Sequence, residues 1–434
     1  MKHSVYEVEL TNGAKGLLID VPDATVMSFE VNFRAGEYLV KRDIWEAPHI
    51  MEHLLLGANK QIPKAREFQA EFEKNGAYCN ASTGTHDIIY EAECADFEWQ
   101  RILEWMLVAI TQPLFLEDEF IAETGNVREE LTARSNNHFR HLSIALREAY
   151  GFYSVTDRER LELMSNVTLH DIKEHYKNTH TTSNMRFVIA GKITPTRKKQ
   201  IRELLSSMAL PKGTGRKQLP NETPVGLEKP LTIRNNTVEN YYFYFDTFLR
   251  RKMDNDELAA MGLLNSMLTE TLYSRILGTA RERGLVYSMS SGVGYDLSST
   301  NWWFGAQVRP DNAHALFDIM ITQLKEVFDG KLSKDEIDSA KQRRLGGYQR
   351  GYQTVSGLAN YYSNPFFFND TYTDYHELPA KIKAVTKTRI INGAKDLFTE
   401  RVWGLGVLGN PATGEVERLT TQLNALWDEN LTAS

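Results

Sequence analysis

One offset recurs along this chain and limits what it can fold into. Val167 and Val385, Thr168 and Thr386, Ile172 and Ile390, Ile189 and Val407, and Gly191 and Gly409 are matched pairs, each 218 residues apart. The order of expected elements agrees on the two sides of the offset. The pattern therefore predicts a duplication: two units of mixed helix and strand. A chain of 434 residues has room for two or three domains at roughly 150 residues each. Between the echoes lies a polar stretch rich in Pro and Gly, Lys212-Gly213-Thr214-Gly215 and then Pro220-Asn221-Glu222-Thr223-Pro224. It reads as a linker over 211–230, dividing the chain into 1–210 and 231–434.

Within the first part, Tyr6–Leu10 alternates and meets Thr11-Asn12-Gly13, a hairpin signal, before the apolar run Gly16–Val21. Val26–Phe33 reads as a strand and Glu46–Leu56 as a helix, with Pro48 tolerated in its first turn and Gly57 placed to end it. Helices are expected over Ala65–Asn75, Phe97–Thr111 and Asp118–Arg134. A strand hairpin is expected over Tyr78–Cys94, turning near Thr83-Gly84-Thr85, and a strand over Asn184–Ala190. The second part repeats this grammar with strand Tyr241–Phe248, helix Asp256–Leu272, strands Val286–Gly292 and Trp302–Val308, and helix His314–Phe328.

Composition removes several function classes. Fifty Lys and Arg against 57 Asp and Glu leave a net charge of −7, and without basic blocks there is no electrostatic footprint for nucleic acid. Two cysteines, Cys79 and Cys94, exclude a disulfide framework or a cysteine zinc finger; both are expected as reduced, half-buried strand residues. The start MKHSVYEVEL lacks the apolar core of a signal peptide, and no apolar run nears the ~18 residues a bilayer span needs. No membrane association and a cytoplasmic location are the default expectation.

Chemistry concentrates in His49-Ile50-Met51-Glu52-His53. Residues four apart share a helix face, so both imidazoles can reach one ion. Imidazole nitrogen binds Zn²⁺ at about 2.0–2.1 Å. Glu52 lies on nearly the same side, where a carboxylate could take a proton from a water on the metal. Catalytic zinc takes three protein ligands plus water, and Glu123 and Glu130, seven apart on the next acidic helix, offer the third and its brace. Glu129 reads as a surface carboxylate. His138 with His141, and His175 with His180, lack a carboxylate pattern and are read as surface residues. Tyr361-Tyr362 and Phe366-Phe367-Phe368 read as core or as a subunit contact.

The set His49, Glu52, His53 and Glu130, the last 77 residues after His53, resembles the pitrilysin (M16) family of peptidases, which includes insulin-degrading enzyme and the mitochondrial processing peptidases. Arg34-Ala35-Gly36, the run Asn75–Thr83 and Asn184–Gly191 extend the resemblance over nearly the whole chain. It implies an α+β fold: two homologous domains in tandem, each an antiparallel sheet packed with helices. It further implies zinc held by His49, His53 and Glu130, Glu52 as general base, and Glu123 supporting a ligand from behind. Asn80, Ala81, Ser82 and Thr83 would lie on an edge strand to which a peptide adds as a further strand.

The second half has no matching motif; at a spacing of 217, Ala340 and Gly347 stand where Glu123 and Glu130 stand in the first. In the family this half contributes an arginine and a tyrosine that hold the substrate backbone. Tyr287 matches, whereas the arginine seven before it is replaced by Ala280, with Arg281 one residue off. Arg281 and Arg283 can equally be read as a solvated helix end. The resemblance also implies chains paired around a chamber, as a homodimer or with a second chain of the family, acting as a zinc endopeptidase on short or unfolded peptides. The rival expectation is a peptide-binding or assembly subunit that needs a partner chain. Metal-dependent hydrolysis of something other than peptides is disfavoured by the edge-strand segment.

Overall fold

A computed structural model describes residues 1–427. The described chain forms two compact units, one of Met1–Ala133, Asp157–Pro220 and Tyr348–Tyr375, the other of Arg134–Thr156, Asn221–Gly347 and His376–Trp427. Each unit is thus built from three separate stretches. A cut at 211–230 would part each sheet from one of its helices.

The first unit holds a six-stranded sheet, β1 (Ser4–Glu9), β2 (Lys15–Asp20), β3 (Val26–Phe33), β4 (Tyr78–Thr83), β5 (Ile88–Ala95) and β6 (Met185–Gly191), in the order β1-β2-β6-β3-β5-β4. The second holds five strands, β7 (Leu231–Arg234), β8 (Tyr241–Leu249), β9 (Met289–Tyr295), β10 (Thr300–Val308) and β11 (Val402–Gly409), in the order β7-β11-β8-β10-β9. Removing β1 superimposes one order on the other, which is the duplication read from the offset. β2 pairs β6 in parallel and β7 pairs β11 in parallel, while every other pairing is antiparallel. The sheets are therefore mixed rather than purely antiparallel. In both units the closing strand returns beside an early one, and a parallel pair needs such a long crossover. Gly191 and Gly409 end these strands at φ 142° and 155°, backbone that side chains rarely adopt, so the shared glycine has a shared cause.

One face of each sheet carries the main apolar core. In the first unit Phe29, Val31 and Phe33 of β3 pack against the helices Ala47–Leu55 and Trp99–Thr111. In the second, Phe243 and Phe245 of β8 meet the helices Asn255–Thr269 and Pro310–Phe328. The opposite face is covered by a helix drawn from the other half of the sequence. Leu358, Ala359, Tyr362 and Phe366 of Val355–Asn369 lie against Leu17, Ile19, Val188 and Ala190, and Leu142 and Leu146 of His138–Ala149 lie against Phe248 and Leu408. Tyr362, Phe366 and Phe367 are accordingly core residues.

Two further expectations change. His175 and His180 are buried, at 7% and 1% exposure. His175 Nε2 bonds the Ala35 carbonyl at 2.7 Å and His180 Nε2 bonds the Tyr90 hydroxyl at 2.9 Å; burial lowers both from the ordinary imidazole range. They are hydrogen-bonding core groups, not surface residues. The strand expected from Val286 begins instead at Met289, because Gly284 takes a left-handed turn and Leu285 N–H returns to the Ala280 carbonyl. Among the described residues no helix is long and apolar enough to cross a membrane.

Candidate metal centre

The helix Ala47–Leu55 carries His49, Glu52 and His53 on one face, their donor atoms within 4.8 Å of one another. Both imidazoles aim Nε2 at the same carboxylate oxygen: Glu130 Oε2 lies 3.3 Å from His49 Nε2 and 3.8 Å from His53 Nε2. Glu130 comes from the long helix Glu117–Ser135. The start of that helix is tied down by Glu119, whose two oxygens accept from Ala58 N–H at 3.2 and 3.1 Å, just beyond the end of the motif helix.

The opposite nitrogen of each ring is held by a carboxylate. His53 Nδ1 meets Glu123 Oε2 at 2.9 Å, and that oxygen also accepts from Asn126 at 3.1 Å. His49 Nδ1 meets Glu46 Oε2 at 3.0 Å. Glu46 was not foreseen. It caps the start of the helix three residues before His49, a spacing that could have revealed it. Its own partner, Arg160, was out of reach of any local reading: Arg160 Nη2 donates to Glu46 Oε2 at 3.2 Å, Nε donates to Oε1, and the guanidinium reaches Glu37 at 2.9 Å. A carboxylate behind each imidazole fixes its orientation and raises its basicity as a ligand.

The charges of the site favour a cation. Burial would lower His49, but hydrogen bonds to Glu130 and Glu46 carry it up to about 9. Burial would raise Glu46, yet bonds to His49 and Arg160 hold it below the ordinary carboxylate range. The His53 hydrogen bond keeps Glu123 low as well. The carboxylates thus stabilise positive charge at His49, and two imidazole nitrogens with one carboxylate oxygen form a donor set suited to zinc.

Glu52 is 7% exposed, and burial pushes its carboxyl up despite the neighbouring imidazoles. Thr83 Oγ1 donates to Glu52 Oε2 at 2.9 Å. Thr83 ends β4, which among the described residues pairs only with β5 and forms the edge of its sheet, so Asn80, Ala81, Ser82 and Thr83 lie along an edge that runs up to Glu52. Gly36 sets the turn beyond that edge. A Cβ there would come within 2.3 Å of the Gly84 carbonyl, and Gly36 N–H donates to the His86 carbonyl at 3.2 Å.

Among the described residues, the second unit keeps the frame without the counterparts of Glu123 and Glu130. Asn265 of the helix Asn255–Thr269 bonds Ser291 of β9, as Glu52 bonds Thr83. Ala340 lies in the helix Lys334–Gly351 and Gly347 near its end, so neither supplies a carboxylate. Tyr287 is 81% exposed; Arg281 Nη1 donates to its carbonyl at 2.6 Å and stacks 4.7 Å over its ring. The one-residue offset therefore does not keep Arg281 from Tyr287.

Residues 21–154 match the model of the insulinase family (peptidase family M16), and residues 166–344 match the model described as the peptidase M16 inactive domain. The A-factor-processing enzyme of Saccharomyces cerevisiae is 26% identical over 123 residues, which is 28% of this chain but 12% of that longer protein. A protease from Helicobacter pylori superposes at a TM-score of 0.81 with 18% identity, over 94% of this chain and 100% of that one. A peptidase M16 inactive domain from Pseudomonas fluorescens superposes at 0.81 with 16% identity, over 94% and 98%. At such identities these structures speak for the fold alone. With both family models matched in order along most of its length, this chain belongs to the M16 family of peptidases.

Proposed function

We propose that the chain is a zinc-dependent endopeptidase acting on short or unfolded peptides, with His49, His53 and Glu130 as ligands and Glu123 and Glu46 bracing the two imidazoles. The observation that carries this reading is the convergence of both Nε2 atoms on Glu130 Oε2 beside the buried Glu52. Zinc bound there would supply Lewis acidity and lower the pKa of a water toward ~7.

The residues divide the remaining work. Glu52 takes the proton of the attacking water and returns it to the leaving amine nitrogen. Its Oε2 receives the Thr83 hydroxyl, which leaves Oε1 clear of that bond to exchange the proton. Asn80–Thr83 would receive the substrate as an added strand, reading backbone more than side chains. The same bond from Thr83 then sets Glu52 against the strand that carries the scissile peptide. Tyr287 and Arg281 would grip substrate backbone, the ring exposed and the guanidinium already laid against it.

A second reading is a peptide-binding or assembly subunit that needs a partner chain. The match of residues 166–344 to an inactive-domain model favours it. That match lies largely in the half without ligands, which weighs for catalysis by the first unit. A quenched-peptide library, assayed with purified protein before and after chelation and zinc add-back, separates the two. Chelator-sensitive cleavage restored by zinc is expected; zinc bound without cleavage would favour the subunit reading, and neither zinc nor cleavage would refute the site.

A further inference from the structure

β8 alternates: Tyr241, Phe243 and Phe245 enter the main core of the second unit, while Tyr242, Tyr244, Asp246 and Phe248 face the other way, toward the helix His138–Ala149. A carboxylate in such an aromatic stripe calls for an explanation, since buried charges are ordinarily paired. Beyond the end of the helix the packing leaves a cavity of about 270 Å³, walled by Tyr150, Tyr244, Phe248 and Trp303, with Asp246 and Asn301 among its polar lining. A dry cavity of about 150 Å³ can hold benzene, so this one takes a ring with a short chain.

Asp246 is 8% exposed. Its Oδ2 accepts from the Tyr150 hydroxyl at 3.2 Å and its Oδ1 from Asn301 Nδ2 at 3.3 Å, both long and both from neutral donors. The cation lining the cavity, Arg147, stacks 4.7 Å over Phe152 and lies 3.9 Å from Asp296. Arg147 also acts on Asp246 through space, so two carboxylates share one guanidinium, and with Asp246 ionised the lining carries one negative charge in excess.

We infer that this cavity binds a small organic cation, its ammonium or guanidinium head on Asp246 and its apolar body among the rings of Tyr244, Phe248 and Trp303. The rings add cation–π attraction to the carboxylate's. Burial pushes Asp246 up to about 7, and a bound cation offsets the cost of ionising it there. Tyr244 and Trp303 meet edge to face at 5.7 Å and are only half buried, so the cavity is open to solvent along their rims. The head group could belong to a free amine or to the N-terminus or basic side chain of a peptide.

Calorimetric titration of the full chain tests this, with chelator present so that the result is independent of the metal centre. The probes are 2-phenylethylamine, its neutral counterpart 2-phenylethanol, and a phenylalanyl dipeptide with its amine free or acetylated. Saturable binding of the amine is expected, at least tenfold weaker for the alcohol and for Asp246→Asn. That variant retains groups able to bond Tyr150 and Asn301, and near-UV circular dichroism reports whether it folds. Trp303→Leu, at the half-buried mouth, is expected to weaken amine binding several-fold and serves if Asp246→Asn unfolds. Tighter binding of the free-amine dipeptide than of phenylethylamine would assign a peptide source, and the reverse a small amine. Equal binding of amine and alcohol, unchanged binding by Asp246→Asn, unchanged binding by Trp303→Leu, or no binding of any probe would overturn the inference.

Discussion

Substituting Glu46 by glutamine removes one negative charge and no volume from behind His49. Glu46 is 1% exposed and His49 5%, so little solvent screens their 3.0 Å contact. Glu123 makes the equivalent contact to His53 at 2.9 Å, but both side chains there are about a quarter exposed, 24% and 30%. Residues supporting a metal ligand from behind are worth about 10–100-fold in metal affinity. The burial difference places Glu46→Gln near the upper end, about 2.7 kcal/mol, and Glu123→Gln near the lower, about 1.4 kcal/mol. Arg160 keeps its 2.9 Å bridge to Glu37 in the variant, which limits the cost to the fold. Zinc affinity is read by competition with a chromophoric chelator, and a thermal melt of the metal-free protein separates binding from stability. Zinc affinity within twofold of the parent for Glu46→Gln, with the melt unchanged, would refute the assignment of Glu46 as the brace for His49.

Three further outcomes are expected. Glu52→Gln should retain zinc and lose peptide hydrolysis by roughly 10²–10⁴-fold; normal turnover would remove Glu52 from the mechanism. Thr83→Val deletes a hydrogen bond that lowers the Glu52 pKa, so the acid limb of the pH–rate profile should move to higher pH, whereas an unmoved limb would mean that Glu52 is not the group titrating there. Glu30, 4% exposed beneath the helix Val355–Asn369, is pushed by burial from 4.5 up to about 7. Its folded pKa exceeds its unfolded one, so its contribution is fully present below pH 4.5 and is lost as pH rises through 7. Glu30→Gln should recover up to about 3 kcal/mol at pH 8 and nothing at pH 4, a comparison made by denaturant unfolding at both values.

Legibility followed distance along the chain. Both imidazoles and Glu52 were readable because they share one helical turn, and the duplication because the echo at Gly191 and Gly409 comes from one backbone requirement. Glu123 and Glu130 stood out as candidates by their spacing, but assigning the ligand role to Glu130 needed the family resemblance, since nothing local says that the second helix lies against the first. Arg160 is 114 residues from Glu46, and no pattern connects them. His175 and His180 were misjudged because a polar side chain in a polar stretch looks solvated; only the folded chain brings the Ala35 carbonyl and Tyr90 hydroxyl to them. Asp246 was invisible for the opposite reason, as one acid within a strand of aromatics reads as noise in a core pattern.

The traded helices have a consequence for synthesis. N-terminal domains commonly fold as they emerge from the ribosome. Here the first unit's sheet is complete once β6 has left, yet its second face needs Leu358, Tyr362 and Phe366, some 170 residues later. At 5–20 residues per second the apolar strip of Leu17, Ile19, Val188 and Ala190 stays open for roughly 9–34 s. His3, near the start of β1, finds the Tyr362 hydroxyl at 2.7 Å, a contact spanning 359 residues. The nascent chain must therefore keep a finished sheet half-covered for far longer than folding itself takes, and this interval is when a chaperone has the most surface to hold.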